Sequence, residues 1–355
     1  MLIINHFQVM PIHPFQAEPE AFSTSANCYV ISKAGDYKFL AVKGNGTEPV
    51  GAESSIDPIG MPAKAVVLWE SFGTTVAPAV GELIKADVEY RDGYVFFSTA
   101  DTYQEGNAVI AVTDSEGNIL WSWHIWLTDE PQAQVYNNDA GIMMDRNLGS
   151  TSAVPGEVGA IGLLYQWGRK DPFLGSSAVE CNKMKIAEST ITWPDAVLKS
   201  EVTGTISYVT ANPTTFVGAD EYAGDWLYSS FDSALWTTSE TTKSVYDPCP
   251  AGWRVPDGKI WSKAGFLTQY TNDAANYGIS FNITSPSTTW YPKAGCRHAS
   301  DGDLMNLGNA GSYWSASPED GKFIYLSVIH ISNYMNPFLS INGRAFANSV
   351  RCVQE

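Results

Sequence analysis

The chain is poor in positive charge: 21 Lys and Arg stand against 38 Asp and Glu in 355 residues, a formal net charge of −17. A nucleic-acid partner needs a basic stripe to neutralise phosphates, and an anionic membrane surface needs the same. Neither is expected here. The deficit is uneven, because residues 1–131 carry six basic and seventeen acidic side chains whereas 290–355 carry five of each. The acidity therefore belongs to the front of the chain, and the last stretch is neutral. No run reaches 18 apolar residues, so no membrane insertion is expected. Met1 to Phe15 lacks a basic segment followed by a long apolar core and does not read as a secretion signal. Five cysteines and five histidines show neither CxxC nor zinc-like spacing, which gives no basis for a metal. No GxSxG, HExxH, Walker or GxGxxG element stands in context, so neither catalytic residues nor a cofactor are assigned.

What the sequence does have is apolar and aromatic mass, 44% and 12%, with 30 Gly and 19 Pro to turn it. That combination predicts a mainly β chain with real cores. Residues 1–26, broken by Pro11, Pro14 and Pro19, read as a leader or linker. From Asn27 to residue 131, strands are expected at Cys28–Ile31, Tyr37–Val42, Ala65–Trp69, Ile84–Tyr90, Tyr94–Ser98, Ala108–Thr113 and Ile119–Leu127. Short strands at this spacing predict an immunoglobulin-like β-sandwich. In the last strand Trp121, Trp123, Ile125 and Leu127 alternate toward a core. His124 reads as a hydrogen-bonded strand residue, since no carboxylate or nucleophile stands at a motif spacing from it, and the Trp126 face is free to pack on the next domain.

Thr128 to Asn138 reads as the junction to a second domain, 132–355, which opens with a strand at Met143–Leu148. Leu163, Leu164 and Trp167 at helical spacing, with a basic end before Asp171-Pro172, predict a helix over Gly159–Lys170. A loop-rich insertion of about 174–245 comes next, with Trp193, Trp226, Tyr228 and Trp236 as anchors onto the domain or, less simply, as sugar-stacking rings. Trp253 and Trp261 read as core. A second helix is expected over Ile260–Tyr270 with Ile260, Ala264 and Leu267 inward, then strands at Thr288–Pro292, Gly311–Ser315, Phe323–Ile331 and Ala345–Val353. Phe323–Ile331 is apolar on both faces. Either it is a strand buried on both sides, or Leu326 and Val328 face the core while Phe323, Tyr325, Ile329 and Ile331 stand outward for a partner.

Several separated motifs share an order with a known family. Asn147-Leu148-Gly149, Gly162-Leu-Leu-Tyr-Gln-Trp167, Asp247-Pro-Cys-Pro-Ala-Gly-Trp-Arg-Val-Pro256, Tyr313-Trp-Ser-Ala-Ser317 and Ser349-Val-Arg-Cys-Val353 resemble the Fibrobacter succinogenes major paralogous domain. That family is common in surface proteins of Bacteroidota and is regarded as C-type-lectin-like. The resemblance covers roughly 135–355 and implies an α+β lectin-like domain after the sandwich. More narrowly, the end of the chain resembles the variable proteins of Bacteroides diversity-generating retroelements, some of which are tip adhesins of type V pili. There, randomised positions lie between fixed anchors.

Carried onto this chain, the resemblance implies a ligand-binding face in three stretches. The first holds Cys296, His298, Asp303, Met305, Asn306 and Leu307. The second holds Phe323, Tyr325, Ser327, Ile329, Ile331 and Tyr334, and the third Phe338, Ser340, Ile341, Asn342, Phe346 and Asn348. Trp253, Trp314, Arg344 and Arg351 would be scaffold. Cys249 and Cys352 flank the lectin-like core. Either they are bridged, as such folds often tie back their last strand, closing a loop of about 100 residues worth about 4–5 kcal/mol, or they are two buried thiols, since an odd total leaves one cysteine unpaired.

The Glu-Pro-Asn or Gln-Pro-Asp loop and Trp-Asn-Asp strand of calcium-dependent lectins are missing, and Asp301 is explained by an Asp301-Gly302 turn. The expected function is that of an adhesin at the outer cell surface, its secretion signal upstream of Met1, meeting a protein or glycan on another cell or host surface. A structural pilus or surface-layer subunit, contacting other pilus subunits, is the alternative. A third reading borrows from formylglycine-generating enzymes, whose core is also lectin-like and whose chemistry needs reactive cysteines. Only Cys296 offers itself for that role.

Overall fold

The structure is a computed structural model that describes residues 18–51, 61–219, 224–228, 234–239, 242–319, 322–331 and 334–355, with 238–239 and 317–342 described by their backbone alone. It is mainly β, in several sheets. The first eight strands are β1 (Glu20–Ala21), β2 (Cys28–Ile31), β3 (Asp36–Leu40), β4 (Lys64–Ser71), β5 (Glu89–Arg91), β6 (Tyr94–Ser98), β7 (Gly106–Thr113) and β8 (Ile119–Leu127). They form two four-stranded sheets, ordered β1-β3-β6-β5 and β2-β8-β7-β4. The pleat decides what lies between them. Tyr29 and Ile31, Ile110 and Val112, and Trp121, Trp123, Ile125 and Leu127 meet Tyr37, Phe39, Val95 and Phe97 in one core. β1 falls inside the stretch read as a leader, yet it pairs in parallel with β3, Glu20 opposite Tyr37.

The expected strand at Ile84–Tyr90 shrinks to β5. The Glu70 carboxylate accepts from the backbone of Gly81, Leu83 and Ile84 at 2.8, 2.9 and 2.7 Å, so these amides are satisfied by a side chain rather than by a neighbouring strand. Ile84 keeps a single bridge, to Thr99.

The reverse face of the β2-β8-β7-β4 sheet is also buried. Cys28, Trp69, Val109 and Trp126 share a cluster with Leu148, Leu163, Tyr165 and Trp167 of the second unit. Polar bonds seal the same seam: Trp126 Nε1 donates to Ser150 O at 3.0 Å, Asn107 Nδ2 to Gly149 O at 2.9 Å, and Ser122 Oγ to Asp171 Oδ1 at 2.5 Å. Every residue of β7 is buried for this reason.

The second unit comprises β9 (Ala133–Val135), β10 (Ile142–Met144), β11 (Leu164–Gln166), β12 (Val197–Leu198), α1 (Ile206–Ala211), β13 (Val217–Gly218), β14 (Thr237–Ser239), β15 (Thr242–Lys243), β16 (Trp253–Arg254), α2 (Ile260–Lys263), β17 (Tyr270–Asp273), β18 (Gly278–Asn282), β19 (Thr288–Pro292), β20 (Cys296–Arg297), β21 (Leu304–Met305), β22 (Ala310–Glu319), β23 (Lys322–Ile331), β24 (Tyr334–Asn342), β25 (Ala347–Ser349) and β26 (Val353–Gln354). Its largest sheet runs β21-β20-β25-β22-β23-β24, with β11 also pairing β25. Two smaller sheets run β16-β26-β10-β9 and β17-β18-β19.

The helix expected over Gly159–Lys170 is not there. Gly162 and Gly168 take φ +76 and +85, which interrupt any α-helix. Between them β11 pairs with β25, Leu164 opposite Ser349. The apolar spacing read as helical is strand alternation, with Leu163, Tyr165 and Trp167 in one cluster and Leu164 in another. The second helix stops at Lys263, since Gly265 adopts φ +82. Ile260 and Ala264 are buried as expected, but Phe266 takes the inward place assigned to Leu267, which is 36% exposed. The last expected strand divides into β25 and β26, because Val350 O and Cys352 O accept from Leu148 and Met144 instead of a continuous ladder. Among its described residues the insertion carries short elements, a 3-10 turn at Cys181–Lys183, β12 with β13, α1, and β14 with β15. Trp226 and Trp236 are fully buried anchors, Trp193 is half-buried against Trp69, and Tyr228 is no anchor, being 50% exposed.

Candidate binding face at the C-terminal end

The frame under the expected face is built from buried cations and indoles. Arg351, 1% exposed, donates twice to Asn147 Oδ1 at 3.2 and 3.0 Å, to Thr289 Oγ1 at 3.2 Å and to Trp290 O at 3.0 Å, with its guanidinium 3.7 Å from the Tyr291 ring centre. The motif asparagine near residue 147 and the motif arginine near the end of the chain thus meet across 204 positions. Arg344 is ion-paired with Asp225 of the insertion and lies over Trp167. Trp314 Nε1 donates to Tyr165 O at 2.7 Å, Trp167 Nε1 to Ser315 O at 2.9 Å, and Trp226 Nε1 to Trp167 O at 2.8 Å. Cys249 and Cys352 are joined by a disulfide across 103 residues, one of the two alternatives that the sequence leaves open. Trp253 is half-buried rather than core.

The loop from β20 to β22 is pinned by close backbone approach. Gly295 takes φ +69, and a Cβ there would lie 2.3 Å from Met305 O. Gly302 takes φ +72, and a Cβ there would lie 2.8 Å from the Phe216 ring. Arg297, buried, donates to Leu174 O at 3.0 and 2.7 Å and to Gly302 O at 2.8 Å. Of the residues assigned to the binding face here, Asp303 and Asn306 are exposed, while His298 and Met305 are half-buried. His298 Nδ1 lies 2.8 Å from Ser300 Oγ, and its ring meets Phe346 edge-on at 5.6 Å.

Cys296, Leu307, Phe346 and Asn348 are not on the surface. Cys296 and Phe346 share the main core with Trp314, Leu307 packs with Ile161 and Ala294, and Asn348 sits opposite Tyr165 between paired strands. Exposures of 5%, 2%, 1% and 0% remove all four from any contact face. The remaining assigned positions, Phe323, Tyr325, Ser327, Ile329, Ile331, Tyr334, Phe338, Ser340, Ile341 and Asn342, lie outside the described side chains. Their backbone forms a regular hairpin: β23 pairs β22 on one side and β24 on the other, with Phe323 opposite Asn342, Tyr325 opposite Ser340, Ser327 opposite Phe338 and Ile331 opposite Tyr334. β24 ends the sheet. The strands expected from the sequence do not include β24, which carries Pro337. Proline is tolerated where a strand has a free edge.

Burial also bears on reactive chemistry, for it pushes the Cys296 thiol up to about 12, far from thiolate at neutral pH. A thiol, an imidazole and an amide do line up elsewhere. Cys28 Sγ lies 3.3 Å from His124 Nδ1, and His124 Nε2 lies 2.9 Å from Asn107 Oδ1. Because Asn107 Nδ2 donates to Gly149 O, its Oδ1 faces the ring, Nε2 carries the proton, and Cys28 donates to Nδ1. Burial raises the Cys28 thiol and lowers His124 to about 3, so the set is neutral and holds strands together. No local spacing announces it, since the partners stand 96 and 17 residues apart. Among the described residues no cluster of His, Cys, Asp and Glu could hold a metal ion, and no helix is long and apolar enough to cross a membrane.

No family model, curated protein or solved structure matches the chain.

Proposed function

We propose that the chain is a cell-surface binding protein, an immunoglobulin-like sandwich carrying a C-type-lectin-like domain of the major paralogous type, which meets its ligand through the β23–β24 hairpin. One observation carries this reading. The odd mixture of Phe323, Tyr325, Ile329, Ile331, Tyr334 and Phe338 falls on two strands paired in continuous register at the outer end of a sheet, while the fixed-looking Trp314, Arg344 and Arg351 are buried in its support. A few aromatic and aliphatic anchors on such a ledge can supply most of the binding energy. His298, Asp303 and Asn306, on the connection from β20 to β22, are the described polar positions of the expected face that stay wholly or partly exposed, and the apolar share favours a protein over a glycan as ligand. Cys296, Leu307, Phe346 and Asn348 belong to the support. The neutral, buried Cys296 thiol speaks against the enzyme reading.

The test is to sequence the locus in closely related isolates. Changes concentrated at Phe323, Tyr325, Ile329, Ile331, Phe338 and Ile341, with Arg344, Arg351 and Trp314 fixed, support a diversified binding face. Changes spread evenly over the domain would sink it and return the hairpin to a structural role.

A further inference from the structure

We propose that the open edge of β2 is a docking site for an extended segment of another protein chain, which adds to it as a strand. Among the described residues β2 pairs only with β8 and ends its sheet. His124 N donates to Asn27 O at 2.8 Å and Thr128 N to Ile31 O at 3.0 Å. In a parallel ladder this turns the backbone of Asn27, Tyr29 and Ile31 toward β8, and the N–H and C=O groups of Cys28 and Val30 away from it. Among the described residues no hydrogen bond satisfies those outward groups, although Cys28 is only 1% exposed. Buried backbone polar groups without partners are rare.

The groups give onto a cavity of about 210 Å³ at the seam between the two units. At ~30 Å³ per water that is room for about seven, far beyond one bridging water. Phe22, Val30, Pro131, Met144 and Trp253 supply its apolar lining, while Ser23, Thr24, Glu130 and backbone groups make nearly as much of it polar. Two donor–acceptor pairs on alternate residues beside a hollow lined in mixed polar and apolar fashion match an extended peptide, its backbone on the edge and an aliphatic side chain turned toward Val30, Met144 and Trp253. A sugar or a compact aromatic ligand would leave that alternation unmet.

The probe is an acetylated and amidated (Thr-Val)₄ peptide at millimolar concentration, read by amide hydrogen exchange on the full chain. In the free chain the Cys28 and Val30 amides should exchange fast while Tyr29, held by β8, exchanges slowly. The peptide should slow Cys28 and Val30 by about tenfold or more and leave Tyr29 unchanged, and a fully N-methylated peptide should do nothing. Val30→Pro deletes one outward N–H without touching the β8 ladder. It should weaken the peptide about tenfold at an unchanged melting temperature. Slow exchange of both amides in the free chain overturns the proposal, since the edge would then already be covered. So does unchanged exchange with the peptide present, or equal protection by the N-methylated form.

Discussion

Arg351→Met tests whether the frame is held by a buried cation. Methionine fills much of the same channel beside Tyr291 but donates nothing, so the buried Asn147 Oδ1 and Trp290 O lose these hydrogen bonds. Each orphaned buried acceptor costs about 1–3 kcal/mol, giving ~2–6 kcal/mol for the two. The Thr289 hydroxyl can rotate to another partner and adds little. Removing the cation also returns its desolvation cost, an offset that lowers the net expectation to about 2–4 kcal/mol. Urea unfolding followed by tryptophan fluorescence should show a lower midpoint at unchanged slope. A loss below about 0.5 kcal/mol, as for a surface substitution, would refute the reasoning and free Arg351 for another role.

Replacing both Cys249 and Cys352 by Ala opens a loop of 103 residues. It should cost about 4–5 kcal/mol in the chain-entropy account, and a variant as stable in urea as the oxidised parent would contradict it. Below pH 6.5 the unfolded His124 takes up a proton that the folded ring, held at about 3 by burial, refuses. Stability should therefore fall as pH drops from 6.5 toward 3, by about 2 kcal/mol at pH 5 from this residue. Asp247, raised to about 6 by burial, works in the opposite direction between about 4 and 6 but is common to both proteins. His124→Gln should accordingly be less acid-sensitive than the parent when urea midpoints at pH 7 and 5 are compared, and an identical difference would count against it. Iodoacetamide at pH 8 should label the exposed Cys181 and spare the buried Cys28 and Cys296, as peptide mass mapping would report. Residues 18–131 and 132–355 made separately should aggregate or bind ANS and should associate when co-expressed; two monomeric, cooperatively unfolding halves would show the shared cluster to be dispensable.

Much of the first unit could be read because a strand signal is local. The alternation of Trp121, Trp123, Ile125 and Leu127 reports its own inner face, and the structure puts all four in the inter-sheet core. Period alone failed where glycines set the backbone. Leu163, Leu164 and Trp167 suit a helix or a strand equally over so few residues, and the positive φ of Gly162 and Gly168 decides the matter. Burial of single positions was harder still. Cys296, Phe346 and Asn348 look like surface variety among polar neighbours, but β20 and β25 are interior strands of the large sheet, covered by β11, β22 and the insertion. The pairings that bury them span more than a hundred residues, as Tyr165 with Asn348 does.

Burial of the Trp126 face against the second unit couples the two halves of the chain. A sandwich sheet usually shows one side to water, and polar residues then mark that side. Here Cys28, Val109 and Trp126 on the outer side meet Leu148, Leu163 and Tyr165, and Ser122 and Asn107 spend their polar atoms on Asp171 and Gly149 of the second unit. Apolar burial and satisfied hydrogen bonds at one seam leave little that water could replace, so the two units are expected to move as one. The support of the hairpin accordingly reaches back through Tyr165 and Trp167 to the first strands of the chain. A gap in that seam is the hollow beside β2, where apolar side chains stand next to backbone groups that nothing among the described residues satisfies.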